Sequence, residues 1–310
     1  MVANSPGAQA RLIALDWGTS VARAYWLDGD GRVLERGSAP LGVQKVAPGG
    51  FADALRALVG EGCELPMLAC GMIGSRQGWI EVPYRGCPAD LATLASALAP
   101  VAGARLSIVP GLIARDASGV PDVMRGEETQ VFGALERASA HAALRVVVLP
   151  GTHSKWALVD DGGIVAFTTF VSGELYGVLK DHSILGRLAA PGDDAAALER
   201  GVRRSLADDA SLSHDLFSAR TLALTGELAP GAVGDYLSGL LLGAELAAGR
   251  RWLQRQRVRG DSVLLIGDAT LCGRYRRAFA LAGIEAVIGP ADAAARGLWL
   301  IAREAGLVRA

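Results

Sequence analysis

At 310 residues the chain exceeds what a single core usually accommodates, so two domains are expected. A formal net charge of -1 and a pI near 6.4 leave no electrostatic footprint for nucleic acid or for an anionic membrane. The four cysteines, Cys63, Cys70, Cys87 and Cys272, show no CxxC pairing, which argues against a zinc site or a disulfide framework and for a reduced cytoplasm.

The opening MVANSPGAQA has neither a basic start nor an apolar core and is expected as a disordered tail, not a signal peptide. Leu12 to Leu15 then reads as a short buried strand, followed by Asp16-Trp17-Gly18-Thr19-Ser20 and a second strand pattern, Ala22 to Leu27. A third strand is expected over Arg32 to Gly37, and the spacing of Phe51, Leu55 and Leu58 predicts a helix to Val59, stopped by Gly60 and Gly62. Pro66 to Ala69 is a further strand, ending in a glycine-rich loop from Cys70 to Trp79. Loops at strand ends are where a rigid scaffold presents binding groups. Here Arg76 could fork onto a carboxylate, and Trp79 or Tyr84 could stack on a sugar-like chain; the alternative is a structural loop with Trp79 in the core.

Leu91 to Leu98 reads as helical and Leu106 to Val109 as a strand. Pro121 to Gln130 then leads into an apolar helix, Val131 to Leu135, with Glu127 and Glu128 at its start. Two carboxylates there are helix-stabilising through the macrodipole alone. Gly126 just ahead of them lets the backbone approach something closely, and a carboxylate held there suits a general base.

The stretch Arg145 to Trp156, RVVVLPGTHSKW, repeats the device of the first hairpin. A buried strand, Val146 to Val148, breaks at Pro150-Gly151 and opens into small hydroxyls, His153 and Lys155, one of only three lysines with Lys45 and Lys180. Gly151 lets backbone N–H groups approach an anion, and Thr152, Ser154 and Lys155 can donate to its oxygens. An ordinary hairpin with an exposed lysine would read the same way; the repeat of the device favours phosphate. A carboxylate in the first copy and a lysine in the second could hold a nucleotide's phosphates and their Mg²⁺ across a cleft.

Beyond it, Ala157 to Val159 and Ile164 to Thr169 form a hairpin about Asp161-Gly162-Gly163, and Ser172-Gly173-Glu174 opens a helix through Leu179. Ala189 to Ser213 is expected as surface helices. The most apolar stretch, Tyr236 to Ala248, contains Glu245 and is shorter than the roughly 20 residues a bilayer-spanning helix needs. Its Ser238, Gly239 and Gly243 permit close packing. Val263 to Ile266 is the last clear strand, and its turn Gly267-Asp268-Ala269 could receive an adenine or a ribose before a helix over Tyr275 to Ala280. Asp292 to Ala302 closes the chain as a helix. No Gly-Lys dipeptide and no GxGxxG after a strand is present, so phosphates would bind by the two hairpins and not by a Walker loop.

Taken together, LIALDWGTS (Leu12 to Ser20), GMIGSRQGW (Gly71 to Trp79), MRGEETQ (Met124 to Gln130), GTHSKW (Gly151 to Trp156), SGEL (Ser172 to Leu175) and LSGLLLGAE (Leu237 to Glu245) resemble the 2-dehydro-3-deoxygalactonokinase family over nearly the whole chain. The resemblance implies the α/β fold of sugar kinases, actin and heat-shock ATPases: two similar ribonuclease H-like domains, each with a five-stranded mixed sheet, and ATP in the cleft between them. It implies a domain over residues 10–125 with the sugar-acid and first phosphate motifs, and one over 126–310 with the second phosphate and adenosine motifs. The reaction implied is transfer of the γ-phosphoryl of ATP to the terminal 6-hydroxyl of 2-dehydro-3-deoxy-D-galactonate in galactonate catabolism.

Carried over by position, Asp16, Gly18, Thr19 and Ser20 match the first phosphate motif, with Asp16 holding Mg²⁺, and Gly151, Thr152, His153, Ser154 and Lys155 match the second. Gly267, Asp268 and Ala269 lie where an adenosine motif is expected. The sugar acid falls to Gly71, Ser75, Arg76, Trp79, Tyr84, Arg125, Glu127 and Glu128. In the related hexokinases an Asp-Thr pair supplies the base at the start of the equivalent helix; here the place holds Glu128-Thr129, kept ionised by the helix start, with Glu127 an equally acidic neighbour. Asp16, Lys155 and Glu128 are thus the catalytic candidates. The alternatives are a phosphohydrolase on the same fold, or a non-enzymatic nucleotide or sugar-acid sensor. The partners expected are ATP and a sugar acid, with no nucleic acid and no membrane; homo-oligomerisation is left open.

Overall fold

The computed structural model describes residues 9–135 and 144–308, so the first eight residues of the expected tail lie outside it. The chain opens with β1 (Leu12–Trp17), β2 (Ala22–Leu27) and β3 (Val33–Ala39), then α1 (Phe51–Val59) and β4 (Met67–Gly71). Short elements follow: β5 (Arg85–Gly86), α2 (Leu91–Ala95), β6 (Ala99–Pro100), β7 (Leu106–Ile108), β8 (Leu112–Arg115), β9 (Pro121–Met124) and α3 (Glu127–Leu135). The next strands are β10 (Leu144–Leu149), β11 (Ser154–Asp160) and β12 (Gly163–Phe170). Five helices come next: α4 (Ser172–His182), α5 (Ala195–Ser205), α6 (Leu212–Asp215), α7 (Ser218–Leu224) and α8 (Val233–Arg255). The chain closes with β13 (Ser262–Leu265), α9 (Ala269–Leu281), β14 (Glu285–Ile288) and α10 (Ala293–Glu304).

Two of the sheets repeat one strand order. The first runs β3-β2-β1-β4-β7-β6 and the second β12-β11-β10-β13-β14. In the first, β1 and β2 are antiparallel while β4 and β7 run parallel to β1; in the second, β13 and β14 run parallel to β10. This is the actin-like, ribonuclease H-like arrangement, made twice. The first sheet has a sixth strand where five were expected, because the two-residue β6 adds itself antiparallel to β7. A third sheet, β5-β8-β9, was not foreseen.

The described residues divide into two compact units: those within 1–144, 157–167 and 292–310, and those within 145–156 and 168–291. The boundary expected at 125/126 falls inside the first of these, because α3 and α10 pack on each other and α10 also packs on β1 and β4. Glycines set that helix contact. A Cβ on Gly297 would lie 1.9 Å from the Thr129 carbonyl oxygen, and one on Gly133 would lie 1.9 Å from that of Ala293. In the second unit α5 and α8 meet by the same device, with Gly201 against the Tyr236 carbonyl and Gly239 against that of Leu198.

Central strands covered on both faces read as continuous apolar runs, and β1 is one: all of it but Asp16 is buried. Trp17 joins Phe51, Ile73 and Ile108 in the first unit's core. No helix among the described residues is long and apolar enough to cross a membrane.

Candidate functional site

In the first unit, chemistry gathers at the carboxyl ends of β1 and β4. Asp16 and Cys70 sit side by side across the parallel pair, and Gly71 follows Cys70. A Cβ on Gly126 would come to 3.0 Å of the Gly71 Cα, so the turn before α3 rests directly on the end of β4. That contact delivers Glu128, fully buried, to the strand ends. Burial raises the Cys70 thiol well above its usual value, and the carboxylates of Asp16 and Glu128 raise it further. Three acidic side chains and a thiol thus share one small region.

Glu128 Oε2 accepts from the Gly126 N–H at 2.7 Å, and Thr129 Oγ1 donates to Oε1 at 3.0 Å. Glu127 likewise accepts from a backbone N–H two residues back, that of Arg125, at 2.9 Å. The helix start was expected to keep Glu128 ionised. Instead burial, with Glu127 as a like charge beside it, lifts its pKa to about 7, outweighing the backbone and hydroxyl donors. A carboxyl poised near neutrality is suited to accept a proton.

Asp16 pairs with Arg23, its cross-strand neighbour, at 3.1 Å, yet burial still raises its pKa. The turn after it is tied from below. Val43, Gln44 and Gly42 donate backbone bonds to the carbonyls of Gly18, Thr19 and Ser20, and a Cβ on Gly42 would strike the Ser20 backbone at 2.3 Å. With those carbonyls turned inward, Thr19 and Ser20 stay exposed. One carboxylate and exposed donors fit Mg²⁺, which usually takes one or two carboxylates and completes its shell with water and phosphate. No group of three or more acidic, His or Cys side chains placed so as to hold a metal ion together is found among the described residues.

Around the glycine-rich loop, the expected sugar contacts separate. Trp79 stacks on Phe51, ring centroids 6.0 Å apart and 17° between planes, so it belongs to the core edge. Arg76 is exposed, 3.6 Å from Glu81. Tyr84 lies over the Arg125 guanidinium at 4.3 Å, and Ser75 has a buried hydroxyl.

In the second unit, β11 begins at Ser154, so Ser154 and Lys155 lie in a strand and not in the loop. Both are buried, because every residue of β11 except Asp160 is covered. Lys155 Nζ donates to Thr169 Oγ1 at 2.8 Å. Only Gly151, Thr152 and His153 remain on the open turn, where His153 Nε2 meets Glu174 Oε2 at 2.6 Å. The turn borders a cavity of about 600 Å³, lined also by Ser172, Gly173, Tyr176, Ser238, Asp268 and Tyr275. Gly173 seats α4 against the turn: a Cβ there would lie 2.3 Å from the Gly151 carbonyl oxygen. Gly267, Asp268 and Ala269 are exposed, and the Asp268 carboxylate caps α9 by accepting from the N–H groups of Thr270 and Leu271.

Sequence reasoning missed the residue that organises this region. Glu245 is buried and accepts from Ser154 Oγ, Trp156 Nε1 and Tyr275 Oη at 2.7 Å, 2.9 Å and 2.8 Å. The signal was present: it is the lone charge in the apolar run Tyr236 to Ala248.

A solved structure from Acidaminococcus fermentans, (R)-2-hydroxyglutaryl-CoA dehydratase component A, shares the fold at TM-score 0.50 and 12% identity, covering 95% of this chain and 98% of its own. A crystal structure from Sinorhizobium meliloti, provisionally named a 2-dehydro-3-deoxygalactonokinase, superimposes at TM-score 0.83 with 36% identity over 94% of this chain and 98% of that one. A Rhizobium meliloti protein provisionally given the same name is 37% identical over 92% of this chain and 97% of its own length. The Escherichia coli 2-dehydro-3-deoxygalactonokinase is 36% identical over 92% of this chain and 94% of its own. With the profile of the 2-keto-3-deoxy-galactonokinase family matching residues 16–301, the chain belongs to that family.

Proposed function

We propose that the protein is a sugar-acid kinase that transfers the γ-phosphoryl of ATP to the 6-hydroxyl of 2-dehydro-3-deoxy-D-galactonate in galactonate catabolism. The observation that carries the chemistry is Glu128: a buried carboxyl with a pKa of about 7, beside Asp16 and Cys70 at the strand ends. A sugar hydroxyl is a weak nucleophile whose proton must leave as the phosphoryl group arrives, and a base that titrates near neutrality accepts it.

The remaining roles follow from placement. The second unit's cavity has the size and the small-residue cradle for the adenosine part of ATP, with the phosphates on the Gly151-Thr152 turn. Gly267, Asp268 and Ala269 border the nucleoside end, and Thr19 and Ser20 offer exposed hydroxyls and amides to phosphate oxygens. Asp16 would hold Mg²⁺ through water, and that ion would neutralise charge on the phosphates. Lys155, in its strand beneath the turn, contributes positive charge from behind and not a direct grip. Glu127 fixes the backbone ahead of the base. The four free thiols are in keeping with a reduced cytoplasm.

A coupled assay tests this. ADP should form only when sugar acid is supplied, faster with the galactonate-derived epimer than with the gluconate-derived one, and phosphorus NMR should place the new ester on O6. ATP turnover indifferent to sugar acid would make the protein a phosphohydrolase. Binding without turnover would make it a sensor.

A further inference from the structure

Arg125 is the best-buried cation of the first unit's loop region, at 9% exposure. Its Nη2 donates to the Val82 carbonyl oxygen at 2.8 Å, but Nε and Nη1, which carry three of the five guanidinium donors, have no partner among the described residues. The Ser75 hydroxyl is buried and unpartnered as well. These orphans are neighbours: a Cβ on Gly74, the residue before Ser75, would stand 3.0 Å from Arg125 Nη1. A buried guanidinium without an anion is costly, and among the described residues its compensation is one carbonyl and the face of Tyr84. Packing alone does not account for it.

We propose that Arg125, with Ser75 beside it, anchors the carboxylate of the substrate, and that Tyr84 is the side chain that covers and uncovers it. The identity of the ligand as a sugar acid rests on the kinase reading above; the demand for an anion does not. Arg125 directly precedes Gly126 and stands three residues before Glu128, so the anchor and the base hang on one short segment of backbone. Gripping the acid end of the substrate there fixes the distance to the base, which is what in-line transfer to a distant hydroxyl needs. Tyr84 is 38% exposed, so its ring can turn outward without unpacking the core. Arg76, the candidate from sequence, is exposed and faces Glu81, where solvent screening leaves little for a ligand to gain.

The test is calorimetric titration of the full chain with 2-dehydro-3-deoxy-D-galactonate, with its C1 amide and with ATP. Wild type should favour the acid over the amide, and Arg125→Gln should lose about 10- to 100-fold in affinity for the acid, so that acid and amide bind alike, with ATP affinity unmoved. An Arg125→Gln protein that keeps the acid-over-amide preference overturns the proposal, as does one that loses ATP and not acid, which would make the anion a phosphate. Should Arg125→Gln not fold, Ser75→Ala decides: selective weakening of the acid supports the anchor, and equal acid and amide affinity losses refute it. Because binding is read without turnover, a protein that distinguishes acid from amide but transfers no phosphoryl group would sink the kinase reading and leave the anchor standing.

Discussion

Ser154 Oγ donates to Glu245 Oε1 at 2.7 Å, joining two buried residues 91 positions apart in the chain. The same oxygen accepts from Trp156 Nε1, and Oε2 accepts from Tyr275. One carboxylate on α8 therefore pins the strand behind the Gly151 turn and the helix α9 that borders the cavity proposed for the nucleotide. Burial raises the pKa of Glu245, with its donors opposing the rise.

Replacing Glu245 by Leu should leave three buried donors unanswered, each costing about 1–3 kcal/mol, and should drop the melting temperature sharply. Glu245→Gln keeps one carbonyl acceptor and should be milder in stability. It should still raise KM for ATP more than KM for the sugar acid, because the cavity and its turn are what the carboxylate positions. Equal effects on both substrates would assign Glu245 to general folding only.

Asp16→Asn should leave the fold intact, since burial already disfavours the charge at that place, and should depress turnover severely. The measurement is kcat against added Mg²⁺ with melting temperature as control. Near-normal turnover in a well-folded Asp16→Asn protein rules the carboxylate out as metal holder.

Gly297→Ala tests the helix contact behind the proposed base. The new methyl would stand 1.9 Å from the Thr129 carbonyl oxygen, which has nowhere to go because it is helix backbone. Overpacking of this kind costs about 1–3 kcal/mol or more, and melting temperature should fall with activity. Gly177→Ala on α4 is the control: nothing lies within 4 Å of its added methyl, so the change should stabilise by about 0.5–1 kcal/mol.

How much of this could be read beforehand depended on whether the determining contact was local. α1, read from the spacing of Phe51, Leu55 and Leu58, ends at Val59 as expected, and β1 and β10 announced themselves as apolar runs. Lys155 was read into a loop because GTHSKW is polar. Ser154 and Lys155 are held inside a strand by Glu245, 91 positions from Ser154, and by Thr169 on the neighbouring strand β12. Trp79 looked available for a sugar until Phe51 took its face. β14, half-exposed and four residues long, and the two-residue β5 and β6 carry too little pattern to be seen. For Glu128, expected to stay ionised, the structure gives a raised pKa, because burial by the rest of the fold is not written in its neighbours.

That protonation yields the last prediction. Glu128 titrates near 7 in the fold and near its ordinary value of 4.5 when unfolded, so the folded state holds the proton more tightly. Its contribution to stability is therefore complete below pH 4.5 and is lost as pH rises through about 7, while the ionised form that can act as a base appears over the same interval. The kcat/KM profile should rise with pH and level off above about 7, and Glu128→Gln should abolish that limb while lowering kcat by about 10²–10⁴-fold with KM for the sugar acid little changed. Glu127→Gln removes the like charge that helps hold Glu128 protonated, so it should shift the limb to lower pH and cost far less in kcat. The reverse ranking would make Glu127 the base. If neither variant loses more than about tenfold, transfer rests on positioning of the two substrates rather than on proton abstraction.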